Sequence, residues 1–181
     1  MSIDESLLRA VAKGDLAFLP LDLSDPIERV MLISKEVKEL IEGTHAAQVA
    51  RAQGLLADLQ AFVKGDVVSM CFRPYEADEA YFGRLHPVGS GVWDIRSRRP
   101  NPGIRIFGMF AELNTFVAFN WWPRSKKVPW SNKEQLGDRD SMNWRIAIHD
   151  CDTQWHATLP GEVAVAGLEV DRYVSANYEL C

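Results

Sequence analysis

Cysteine is scarce in this chain: Cys71, Cys151 and Cys181 form an odd, widely spaced set. That is no disulfide framework, and it fits a reducing cytoplasm. Long apolar runs are missing too. Nothing approaches the ~20 consecutive apolar residues that cross a bilayer, so no membrane association is expected. The opening MSIDESLLRAVAKGD is acidic before it is apolar, unlike a secretory signal. There is no Gly-x-Ser-x-Gly elbow, no phosphate-cradling glycine loop and no zinc-type cysteine pair. Basic residues are in deficit, 20 Lys+Arg against 25 Asp+Glu for a net charge of -5. That balance argues against an indiscriminate nucleic-acid binder.

What is present suits one domain, or one domain with a helical extension: 181 residues, 47% hydrophobic and 25% charged. The charge is uneven along the chain. Residues 84–127 hold eight basic side chains against Asp94 and Glu112, a local balance of +6, between flanks that are all acidic. A basic middle between acidic ends is the first functional clue.

The periodicity predicts helices in the first third. Residues 4–13 form one, closed by Gly14 as a left-handed cap. Asp25-Pro26-Ile27-Glu28 reads as the start of a second, running to Gly43. Thr44 opens a third, whose Ala52, Leu55, Leu56, Leu59, Phe62 and Val63 make an apolar stripe up to Gly65. The last two should pair as an antiparallel hairpin. Residues 67–72 read as a short strand and 76–85 as a helix. Three stronger strands follow at 91–97, 104–110 and 115–121, each rich in β-branched and aromatic residues. Pro100-Asn101-Pro102-Gly103 and Glu112-Leu113-Asn114 supply turns between them. A polar loop at 125–140 leads to a helix over 141–158 and a tail with a short element near 171–178. The expected fold is therefore α+β: an N-terminal helical extension (1–65), a domain at 66–160 with a small antiparallel sheet, a three-stranded meander plus an extra strand, packed with helices, and a tail at 161–181.

The basic meander is where chemistry is expected. Alternation puts Trp93, Ile95, Ile104 and Ile106 on a buried face and Asp94, Arg96, Arg105 and Phe107 on the other. Arginine's planar fork makes paired, charge-assisted bonds to phosphate and stacks on bases. With Arg98, Arg99, Trp121, Trp122, Arg124, Lys126 and Lys127, the region interleaves basic groups with aromatics, as single-stranded nucleic-acid surfaces do. The same arginines would equally serve as a solvated face paired to the acidic N-terminal helices, and those helices would then act as a built-in cover.

The motifs Tyr81-Phe82-Gly83-Arg84-Leu85, Gly91-Val92-Trp93-Asp94-Ile95-Arg96, Gly103-Ile104-Arg105-Ile106-Phe107, Phe116-Val117-Ala118-Phe119 and Arg124-Ser125-Lys126-Lys127 follow one another in that order. Over about residues 67–156 the chain resembles the RelE/HigB-type toxin superfamily, especially its phage-encoded branch. The resemblance implies a small antiparallel sheet that holds RNA, mRNA cleavage on the ribosome without a metal or other cofactor, and an antitoxin-like protein partner. Attack by a 2′-hydroxyl on the adjacent phosphate would be stabilised by Arg96 and Arg105, with Lys126 or Lys127 supplying charge or a proton. Arg98, Arg99, Phe107, Trp121, Arg124 and Lys127 would line the RNA path. The chain departs from the pattern in its acidic balance, its 65-residue extension and Gly108 where a Tyr is common. No His lies in the meander, so no general base is evident. A non-catalytic protein or small-ligand binder, using the tryptophans or the hairpin, is the alternative.

His149, Asp152 and His156 fall on one helical face, where two imidazoles and a carboxylate would meet a metal. Arg145 beside them disfavours a cation, so no metal is expected. The oligomeric state is not legible.

Overall fold

The computed structural model describes residues 3–22, 24–43, 46–74, 80–98, 101 and 103–181. In chain order they form α1 (Glu5–Lys13), β1 (Leu16–Phe18), β2 (Val30–Ser34), α2 (Lys35–Ile41), α3 (Ala46–Val63), β3 (Val68–Cys71), β4 (Phe82–Arg84), β5 (Val92–Ser97), β6 (Ile104–Glu112), β7 (Thr115–Pro123), α4 (Met142–Thr158) and β8 (Tyr178–Leu180). All eight strands join one mixed sheet of order β1-β2-β7-β6-β5-β4-β3-β8. The pairs β2–β7, β3–β4 and β3–β8 are parallel and the rest antiparallel.

This corrects the expected fold class. The antiparallel run β5–β6–β7 is only the middle of an eight-stranded sheet, and the first third is not a detached helical hairpin. The turn-helix expected from Asp25 to Gly43 is instead a strand followed by a short helix. Val30-Met31-Leu32-Ile33 is a continuous apolar run, and both its faces are buried, which a two-sided sheet accepts and a surface helix does not. The working cap is Ser34, whose Oγ accepts from the Val37 amide at 3.3 Å. Likewise the helix expected over 76–85 ends as strand β4, because Phe82 is needed in the core beside Trp93 and Phe110. Its residues 76–79 lie outside the described residues, as do Thr44, Pro100 and Pro102.

The sheet is covered on both sides. Helices α2 and α3 pack on one face over Met31, Ile33, Met70, Phe82, Trp93, Ile95, Ile106, Phe110 and Phe116. Helices α1 and α4 cover the other over Leu16, Leu32, Val92, Phe107, Met109, Val117 and Phe119. Two-sided burial explains why β5 and β7 have no exposed residue despite carrying charge. Of the N-terminal helices, α2 and α3 lie on the side of the sheet opposite the arginines, while α1 shares the arginine side with α4. A bulge in β7 lets Phe107 pair with Asn120 and Gly108 with Ala118, skipping Phe119. A Cβ at Gly108 would overlap the Val117 carbonyl and the Phe116 ring. No tyrosine fits there. Segment 161–181 is tied down by Arg29, whose guanidinium donates to the carbonyls of Phe62, Asp66, Ala176 and Asn177. Among the described residues no helix is long and apolar enough to cross a membrane.

Candidate anion site

Residues two apart on a strand share a face, so β5 presents Asp94 and Arg96 on the α1/α4 side, β6 presents Arg105 and Phe107, and β7 presents Trp122. Register sets Arg96, Arg105 and Trp122 side by side in one row across three strands. The row before it holds Gly83, Asp94, Phe107 and Asn120. Gly83 is required: a Cβ there would collide with the Arg96 guanidinium and the Asp94 carboxylate.

Asp94 is 1% exposed, and Arg96 and Arg105 are each 8% exposed. Arg96 Nε lies 3.3 Å and Arg105 Nε 3.4 Å from the same oxygen, Asp94 Oδ2. Each guanidinium offers five N–H donors, whereas one carboxylate accepts about four. The deficit is visible in the atoms. Arg96 Nη1, Arg105 Nε, Arg105 Nη1 and Trp122 Nε1 are all buried without a hydrogen-bond partner. Leaving a buried donor unpaired costs about 1–3 kcal/mol. The charge is equally unbalanced. Burial pulls the Arg105 pKa down to about 10; Asp94 opposes that, and the positive charges of Arg96, Arg124 and Arg98 reinforce it. Arg105 stays charged at neutral pH.

Arg124 completes the rim. It follows β7 and lies over the Trp144 ring at 6.0 Å, with its Nη1 donating to Gly137 O at 2.6 Å. Arg98 is exposed just beyond β5. The expected site residues thus divide. Arg96, Arg105, Arg98 and Arg124 come together. Phe107 lies on the same face but is fully buried against Trp144, their ring centroids 5.5 Å apart, so it is core and offers no stacking surface. Trp121 points to the opposite face, because Ile106, not Arg105, is its pairing partner. Lys126 is exposed in the loop after β7, and exposed Lys127 pairs with Glu134. Neither lysine is among the charges that act on Arg105. Arg99 lies outside the described residues.

The tryptophan pair belongs to the core: Trp121 and Trp122 are both buried, with Lys133 Nζ 5.6 and 4.8 Å from their ring centres. On α4, His156 Nε2 lies 3.7 Å from Asp152, with His156 exposed and Asp152 half-buried. Among the described residues no group of three or more His, Cys, Asp or Glu side chains could hold a metal ion. A cleft does exist there, between a short 3-10 turn at Val88–Ser90 and α4, lined by His86, Ser90, Arg145, Ile148, His149 and Asp152.

Asp94 is legible in the sequence, and Trp122 is not. Asp94 is the one acidic residue among the strand arginines, and a lone acid two residues from an arginine on a strand marks a same-face pair. Trp122 could be placed only with the register in hand. Compared with known protein families, with curated proteins and with solved structures, the chain matches none. Fold and site define it as a three-layer α/β/α protein with a buried, donor-rich arginine row.

Proposed function

We propose that this protein binds single-stranded RNA by gripping a backbone phosphate at the rim of the Arg96–Arg105–Trp122 row, and that it does so without cleaving the strand. The observation that carries this is the set of buried donors with no acceptor among the described residues. A phosphate is all acceptor, carries the opposite charge, and pairs with guanidinium forks. Arg98 and Arg124 at the rim extend the positive field toward solvent, where the next phosphates would lie. Binding without cleavage is favoured because Asp94, the carboxylate that faces these arginines among the described residues, is already shared by two guanidiniums and is poorly placed to act as a general base. The RelE/HigB-type resemblance, an antitoxin-like partner and a cytoplasmic location belong to this same proposal. A small-ligand protein is the second reading. What favours it is the cleft at His86, Arg145 and His149.

The test is fluorescence titration of a labelled single-stranded RNA across a salt series. Wild type should bind with a salt-dependent affinity and leave the RNA intact. The Arg96→Met/Arg105→Met pair, which keeps side-chain volume, should weaken binding at least ~10-fold and flatten the salt slope. Equal affinity for both proteins overturns the reading.

A further inference from the structure

At the far edge of the sheet, β3 and β8 run parallel with Met70 paired to Leu180. The next residue on each strand is a cysteine, and the Cys181 amide donates to Met70 O at 3.2 Å, so the pairing continues up to them. Register neighbours in a sheet sit ~4.8 Å apart, within the Cα range of about 4.4–6.8 Å that a disulfide needs. Alternation sends their side chains to the same face, opposite Met70 and Leu180, and the Cys71 thiol donates to Arg73 O at 3.5 Å. Cys71 is buried and Cys181 exposed, so one thiol is open to reagents and the other waits behind it. Cys71 also pairs with Gly83, the residue whose missing side chain makes room for Arg96.

We propose that Cys71 and Cys181 are a thiol–disulfide modification site, which low-molecular-weight disulfides oxidise to an internal bridge locking β8 onto β3. The Cys181 thiolate attacks one sulfur of the reagent, whose S–S bond breaks and expels one thiolate. The Cys71 thiolate then attacks the Cys181 sulfur of the mixed disulfide and expels the second. One S–S bond forms in the protein and one is lost from the reagent, which leaves as two thiols carrying the two protons the cysteines gave up. Burial, then the neighbouring Cys71, holds the Cys181 thiol above its ordinary pKa, while Arg96 pulls the other way. The exchange therefore gains speed into the alkaline range, since the thiolate is the attacking species. Cys151 lies buried in α4, and its thiol is pushed up by burial with acidic neighbours Asp152 and Asp150, so it serves as the unreactive internal reference.

The experiment incubates the full chain with oxidised glutathione and maps non-reduced peptides by mass spectrometry. Wild type should show a peptide joined through Cys71 and Cys181, short of two hydrogens, and a Tm raised by more than about 5 °C because a loop of about 110 residues has been closed. Cys71→Ala should stall as a stable glutathione adduct on Cys181. Cys181→Ser, altered at an exposed position, should give neither product. A wild type that stays as the Cys181 adduct, or that links two chains through Cys181, overturns the proposal.

Discussion

Two buried arginine regions of this protein solve the same physical problem differently. Arg29 is 3% exposed and sends its guanidinium to four backbone carbonyls at 2.6–3.3 Å, with its charge over the Phe62 ring. The Arg96–Arg105 pair is scarcely more exposed, yet among the described residues its ion-pair partner is the one shared carboxylate of Asp94. At Arg29 every acceptor belongs to the chain itself, and the residue works as a clamp between α3 and segment 161–181. At Arg96 and Arg105 the described residues supply too few acceptors. The difference separates a guanidinium that completes a fold from a pair that has capacity left for a ligand.

The contrast is broken most directly by removing the clamp. Arg29→Ala removes four hydrogen bonds at once, although the Phe62 and Asn177 carbonyls keep the amides of Gly65 and Val68, and should lose roughly 3–5 kcal/mol of stability in urea unfolding. RNA affinity of the folded protein should not change. Next in size, Asp94→Asn removes the carboxylate that two guanidiniums share and should cost about 3 kcal/mol in an anion-free buffer. Millimolar inorganic phosphate should return part of that loss, while Arg29→Ala should gain nothing from it. Equal responses of the two variants would erase the distinction.

The smallest effect is one of pH. Phosphate at ten times its dissociation constant should raise the wild-type Tm by about 3–5 °C at pH 8. The protonated guanidinium is the form that holds the anion, so this gain should fade as pH passes about 10, where Arg105 begins to lose its proton. Anion-free stability carries the opposite sign. The folded pKa lies below the unfolded one, so the unfolded chain holds more protons above pH ~10 and the burial penalty of this residue is relieved as pH rises. Differential scanning fluorimetry at pH 8 and 10.5, with and without phosphate, reads both trends.

Alternation alone found the central strands, and with them the common face of Asp94, Arg96 and Arg105. Helix α1 was legible to its ends because Asp4 caps the Ser6 amide and Gly14 adopts φ +82°. What escaped has a physical reason. A strand buried on both faces loses its two-residue alternation, so Val30-Met31-Leu32-Ile33 blended into the helical spacing of α2 behind it. Strands β1, β4 and β8 have three residues each, too short for any period to show. The sequence groups both Trp121 and Trp122 with the arginines, but adjacent strand residues point opposite ways, and only the pairing of Arg105 with Trp122 says which one shares their face.

The parallel pairings carry a consequence for how the chain reaches this state. The β5–β6–β7 run joins neighbours in sequence and can zip locally, whereas β2 must find Thr115–Ala118 and β3 must find Tyr178–Leu180. Such distant closures slow folding, because loop entropy is lost before the contacts that repay it form. Until 178–180 dock, β3 presents an open strand edge, Val68 to Cys71, of the kind that recruits other chains. The exposed β8 is therefore a guard rail for that edge, and a chain cut short of it should refold with more aggregation long before its native core is weakened.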